Sequence, residues 1–293
     1  MVFARTILAS HTQIPFDMTQ ATSVSSAQRL SPMTPQSLSK ARDFVNVAEL
    51  PPPPPIDFDI PKAPPPALDA AKEQAAVVGG EVIAFVKGVT AEQRADIVNA
   101  SLLAQLIAKK RVPSATTLEG VAAWYHSYFD ALANIGFAIQ DKGFAEYHEQ
   151  GDSFQAHKAV VDVAALLLGG APTALALVKT TLEALQTMEQ DSPWITVFNR
   201  ESQSANTARF QIGLAEQDAA NGLLLTLIAF GLEARSNVTQ VLFFKFRKND
   251  VRLQHHSGKV TINAPMLAAL RPEVGERLVA FAQDYIKRLP DLS

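Results

Sequence analysis

The hydrophobic and polar positions of the chain divide it into a mainly helical half and a strand half that ends in a helix. Leu68 to Val86 and Ala91 to Lys110 carry apolar residues at helical spacing; in the second, Ile97, Leu102, Leu103, Leu106 and Ile107 share a stripe, Thr90 stands as an N-cap and Pro113 lies beyond the end. This pattern predicts an αα pair joined near Gly88, followed over Ser114 to Ala133 by a loop and a short helix holding Trp124, Tyr125, Tyr128 and Phe129. Ile135 to Tyr147 reads as a strand. A second helical pair follows: Phe154 to Leu168 ends at Gly169-Gly170, and Pro172 opens a helix over Thr173 to Gln190 with Leu175, Val178, Leu182, Leu185 and Met188 on one stripe.

After Asp191 the period becomes that of strands. Trp194 to Asn199 is one candidate, and Arg209 to Ala215 alternates with Phe210, Ile212 and Leu214 on one face. Leu223 to Ala234, which includes Leu224, Leu225, Leu227, Ile228 and Phe230, is almost continuously apolar. Gln240 to Arg247 sets Leu242, Phe244 and Phe246 on one face against Val241, Phe243, Lys245 and Arg247 on the other. Val251 to Gln254 and Lys259 to Asn263 are thinner strands across Ser257-Gly258, and a helix over Pro272 to Leu289 closes the chain. Helices, then mostly antiparallel strands, then a helix predict an α+β fold with helices layered on one sheet. Strands as apolar as Leu223 to Ala234 need both faces covered, and two helical pairs supply the cover.

Residues 1–66 differ from the rest. They are rich in Ser, Thr, Gln and Pro, with proline runs at Pro51 to Pro55 and Pro64 to Pro66. Proline removes amide donors and favours extended backbone, so this segment reads as a disordered leader, either a linker or a removable pro-segment, ahead of one domain over 67–293. Arg29, Lys40, Arg42 and Lys62 would then be open to trypsin-like clipping.

Composition narrows the chemistry. Twenty-six basic and 29 acidic side chains give a net charge of -3, which leaves no electrostatic footprint for nucleic acid. The absence of cysteine excludes disulfides, thiolate metal sites and thiol nucleophiles. The first 30 residues lack the apolar core of a Sec signal, and no apolar run reaches the length of a membrane helix. No phosphate loop, Gly-x-Ser-x-Gly elbow or His-Glu-x-x-His motif is present, so no catalytic site and no enzyme activity are expected. His255-His256 reads as a solvated strand end, and His148 and His157 near Glu146, Glu149 and Asp152 as a wet loop, rather than as metal sites. Asn199-Arg200-Glu201 and the Lys245/Arg247 pair read either as charged strand ends or as a basic patch for lipid headgroups.

Several segments, in order and at similar spacing, resemble the Cyt-type δ-endotoxins, a family of cytolytic insecticidal toxins. They are Ile97 to Pro113, Phe154 to Gln190, Pro193-Trp194-Ile195 with Asn199-Arg200-Glu201-Ser202, Arg209 to Leu214, Leu223 to Glu233 and Gln240-Val241-Leu242-Phe243-Phe244. The resemblance spans Ala91 to Ala264, and the family is itself similar to volvatoxin and to the virulence factor Evf. It implies a single-domain α/β/α sandwich whose mainly antiparallel sheet is wrapped by helical hairpins. It also implies a bacterial toxin or virulence protein, released by a non-classical route, that binds phospholipid membranes and self-associates there as a pore-forming or disrupting agent. The alternative it implies is a non-lytic, Evf-like protein that holds a fatty acid or phospholipid non-covalently; no other cofactor is expected. Carried across position by position, the inserting or lipid-binding residues would be Phe210, Ile212, Leu214, Leu224, Leu225, Leu227, Ile228, Phe230, Val241, Leu242, Phe243, Phe244 and Phe246. The proline-rich leader and the long carboxyl-terminal helix depart from that family.

Overall fold

The computed structural model describes residues 32–53, 68–139, 144–147, 153–168, 171–220, 222–235, 238, 242, 245–247 and 250–289. Its centre is a run of three long antiparallel neighbours: β7 (Thr207–Asp218), β8 (Gly222–Ala234) and β10 (Val251–Ile262). A tight turn joins the first two, in which the Asp218 carboxylate accepts from the Ala220 amide at 2.9 Å and Gly222 takes φ +75°. The hairpin β1 (Gln74–Val78) and β2 (Glu81–Phe85) extends the sheet beyond β7, and β11 (Ile286–Arg288) pairs with β1 at the edge. β3 (Phe137–Ala138) and β4 (Ala145–Tyr147) pair with different parts of β10, while β6 (Gln203–Ser204) pairs with the start of β7. All these pairings are antiparallel except β2 with β7, which is parallel.

Helices cover both faces, which is why the sheet can be so apolar. On one face, called A, lie α1 (Pro35–Val47), α2 (Ala91–Arg111), α3 (Leu118–Asn134) and α7 (Ala264–Leu278); they pack with Ile83, Phe85, Leu225, Leu227, Val260 and Ile262. On the other, face B, α4 (Ala156–Leu168), α5 (Pro172–Gln186) and α6 (Pro193–Ser202) pack with Val82, Phe210, Ile212, Leu214, Ile228 and Phe230. The fold is therefore the expected α+β, α/β/α sandwich with one mixed, mainly antiparallel sheet.

Several local expectations are corrected. The helix expected over 68–86 is the β1–β2 hairpin. Its strands are buried along their whole length, so their apolar runs lack the alternation that marks a half-buried strand, and Gly79 at φ +55° with Gly80 makes the two-residue turn. The strand expected over 194–199 is α6: Pro193 suits the first helical turn, and Ile195, Phe198 and Ser202 share a buried face. The short helix after Ser114 is the 17-residue α3, and the two thin strands across Ser257-Gly258 are one continuous β10. The strand expected over 135–147 is the separate pair β3 and β4.

The closing helix starts at Ala264 rather than at Pro272. Asn263 caps it by accepting from the Met266 amide at 3.1 Å, and Pro272 falls inside it. The chain then continues through α8 (Ala282–Tyr285) into β11. The leader reading fails over 35–47, which form α1 with Ala41 and Val45 buried. Arg42 pairs with Glu273 at 2.8 Å, and the Arg277 guanidinium donates to the Asn46 and Ala48 carbonyls.

Candidate functional site

The register of β7 and β8 decides how the expected lipid-facing residues are arranged. Phe210 stands opposite Phe230, Ile212 opposite Ile228 and Leu214 opposite Thr226, so Phe210, Ile212, Leu214, Ile228 and Phe230 form one continuous band on face B. The Phe210 and Phe230 rings stack at 4.8 Å and 14°. Leu225 and Leu227 lie on face A, under different helices. Leu224 is buried, opposite Glu216 and Thr261. The expected set is thus divided between two faces. On β10 the band stops, because the positions opposite Phe230, Ile228 and Thr226 are His255, Ser257 and Lys259.

The segment 240–247 does not join this sheet where it is described. β9 (Lys245–Arg247), which contains Phe246, pairs with β5 (Ser153–Gln155) in a separate two-stranded sheet. Leu242 is buried in the face B core, and its carbonyl accepts the His157 amide at 3.0 Å. Val241, Phe243 and Phe244 lie outside the described residues, as do Arg29, Lys62 and His148. Lys40 and Arg42 lie within α1, where the backbone is helical rather than open.

Two parts of the helical cover, α4–α5 on face B and α2–α3 on face A, are held differently. The buried residues of α4 are all apolar, and those of α5 are apolar except Thr181, whose hydroxyl bonds back to Leu177 of its own helix at 2.8 Å. On face A, by contrast, α2 and α3 are tied to the sheet by buried polar groups. The Tyr125 hydroxyl lies 2.9 Å from the carbonyls of both Phe210 and Phe230. Gln105 donates to the Val78 carbonyl at 2.8 Å and accepts from the Gly80 amide at 3.0 Å, capping the β1–β2 turn.

At the centre of these ties is Glu81, which is 0% exposed. Its Oε2 accepts from Tyr128 at 2.9 Å, from the Ser101 hydroxyl and from Gln105 at 3.5 Å, while Oε1 has no hydrogen-bond partner. Gly213 gives the carboxyl its room: a Cβ there would stand 3.1 Å from Oε1. Burial pushes the Glu81 carboxyl up from 4.5 to about 7, against the opposing pull of the Ser101 and Tyr128 hydrogen bonds. Burial likewise raises both tyrosines and lowers Arg209, whose guanidinium lies 4.5 Å from the Trp124 ring centre. Trp124 in turn stacks on Tyr128 at 5.5 Å and 11°. With no opening to solvent at Glu81, this group can hold or release a proton but cannot receive a substrate.

This cluster escaped sequence reading because Glu81 beside Gly79-Gly80 looks like turn polarity. The available signal lay in α2, where Arg94, Asp96, Ser101 and Gln105 interrupt a helix that is buried nearly all round. The histidine pair also differs from a solvated strand end. His256 is buried against Phe129 and Phe144 on face A, whereas His255 faces Phe230 on face B, where burial and then His256 hold its pKa low. Among the described residues no cluster suits a metal ion. A cavity of about 330 Å³ opens beside Phe129, Phe144, His126 and His256, and one of about 140 Å³ beside Phe198, Met188 and Leu242.

No family model matches the chain, and no curated protein sequence matches it. Solved structures similar to it include two virulence or toxin proteins. The Evf virulence factor shares 10% identity at a TM-score of 0.34, covering 71% of this chain and 82% of that one. A delta-endotoxin shares 14% identity at a TM-score of 0.31, covering 74% and 93%.

Proposed function

We propose that the protein is a non-catalytic, membrane-active toxin or virulence protein that carries its lipid-seeking hairpin between two helical layers. The observation that supports this reading is the β7–β8 pair itself. Its strands are 12 and 13 residues long, against the 9–11 a tilted membrane strand needs, and they present Phe210, Ile212, Leu214, Ile228 and Phe230 as one apolar band. Among the described residues no helix is long and apolar enough to cross a membrane.

The burial energetics permit exchange of the face B layer. Each band residue is stabilised by about 1.5–3 kcal/mol when withdrawn from water, whether α4–α5 or a lipid tail does the covering. The buried side chains of α4 and α5 are apolar apart from Thr181, with Tyr147 of β4 donating to Asp162 of α4 at 2.8 Å at the exposed rim, and the apolar face of the pair can lie at the membrane surface. The strand amides have no such freedom, because hydrocarbon offers them no partner, so an inserted hairpin must pair with further copies into a closed array. Phospholipid and other copies of this chain are therefore the expected partners.

The test is dye release from phosphatidylcholine vesicles, with and without phosphatidylglycerol, before and after trypsin. Release is expected from at least one composition. A folded protein that releases dye from neither composition, clipped or unclipped, would sink the reading.

A further inference from the structure

We propose that Glu81 is a proton-operated latch for the face A layer: protonated it holds α2 and α3 on the sheet, and ionised it loosens them. The geometry of the cluster carries the inference. Glu81 sits on β2 with its carboxyl enclosed by Ser101 and Gln105 of α2, Tyr125 and Tyr128 of α3, and Gln211 and Gly213 of β7. The same side chains that meet the carboxylate also anchor the helices, since Gln105 caps the β1–β2 turn and Tyr128 stacks beneath Trp124. The charge state at Glu81 is thereby coupled to the seating of both helices.

The facing groups leave an ionised Glu81 poorly compensated. Tyr125 and Tyr128 are held neutral by burial. The cation on β7, Arg209, is committed to the face of Trp124, and its Nε lacks a hydrogen-bond partner. Further along α2, Lys109 is paired with Glu201 of α6 at 2.7 Å. A carboxylate in this place keeps three hydrogen-bond donors but no bonded counter-ion, and an uncompensated buried charge weakens the packing that encloses it. A neutral carboxyl carries no such penalty, and either hydroxyl can turn to accept its proton.

The consequence for the membrane reading is directional. Face A covers Leu225, Leu227 and Ala229 of β8, so freeing the hairpin on both sides requires this layer to yield as well. Ionisation above neutral pH favours that step. This consequence rests on the proposed membrane activity, whereas the latch is tested without lipid and can fail separately.

Trp124 is a built-in reporter, lying between Tyr128 and Arg209, and Trp194 on α6 is removed by Trp194→Phe. In that background, Trp124 emission is followed from pH ~5 to ~9. A reversible transition with a midpoint near 7 is expected, absent in Glu81→Gln. Tyr128→Phe, which removes a hydrogen bond that lowers the Glu81 pKa, should move the midpoint upward. A transition that survives in folded Glu81→Gln would arise from another group and overturn the latch. So would a flat profile in the parent. If Glu81→Gln does not fold at pH ~5, the Tyr128→Phe shift decides, and a midpoint that stays put or falls overturns the proposal.

Discussion

Gly231→Ala measures how closely α3 is seated on the sheet. Gly231 lies on β8 opposite Arg209 and Gln254, and a Cβ built there meets Val121 Cγ1 at 2.9 Å and Leu118 Cδ2 at 3.7 Å. Carbon atoms pack at about 3.5–4.0 Å, so the new methyl overlaps Val121 by up to about 1 Å. Val121 is 2% exposed and β-branched, so it cannot turn aside cheaply in a helix. Relief must come from lifting α3, at a cost of roughly 1–3 kcal/mol. Urea unfolding should show a lower midpoint with an unchanged slope. Val121→Ala alone leaves a cavity and costs roughly 1–3 kcal/mol, but it removes the clashing methyl. The double substitution should therefore be less damaging than the sum by about 1 kcal/mol or more. A Gly231→Ala protein as stable as the parent, or strict additivity with Val121→Ala, would refute this account of the α3–β8 contact.

Two further outcomes follow from the buried residues. The folded-state pKa of Glu81 is raised from 4.5 to about 7, so its contribution to stability is complete below about 4.5 and is lost as pH rises through 7. The difference is roughly 3 kcal/mol, measurable by urea unfolding across pH and removed by Glu81→Gln; stability that rises across this window would contradict it. Phe230→Ala deletes a fully buried ring stacked on Phe210 and should cost about 3–5 kcal/mol by the same unfolding measurement, a loss under about 1 kcal/mol counting against the band as a packed unit.

Much of the fold was legible because its signals are local. Thr90 caps α2 as expected, with its side chain accepting from the Gln93 amide at 3.1 Å. Pro172 opens α5, and the alternation of Phe210, Ile212 and Leu214 marks one face of β7 correctly. The errors share a cause. Gln74–Val78 and Glu81–Phe85 are covered on both sides, so their strands carry no polar face to betray the period. The helix at 193–202 is short enough that six apolar and polar residues read equally well as a strand.

The site was legible only in part. The β7–β8 hairpin stood out as the most apolar stretch, yet the residues expected to act together there separate onto opposite faces, because strand side chains alternate while composition does not. Glu81 was not legible at all. A glutamate beside two glycines is ordinary, and becomes unusual only when distant residues enclose it.

The sequence by itself determined helix starts such as those at Thr90 and Pro172, which segments are apolar and that a sheet must be sheathed by helices, since these depend on neighbours within a few positions. The tertiary structure alone decided which helices cover which face. It set β2 parallel to β7, so that Glu81 stands opposite Gln211, and it laid α2 and α3 over the pair. Desolvation is a property of everything surrounding a group, and at Glu81 those surroundings come from four separate parts of the chain: β1, α2, α3 and β7.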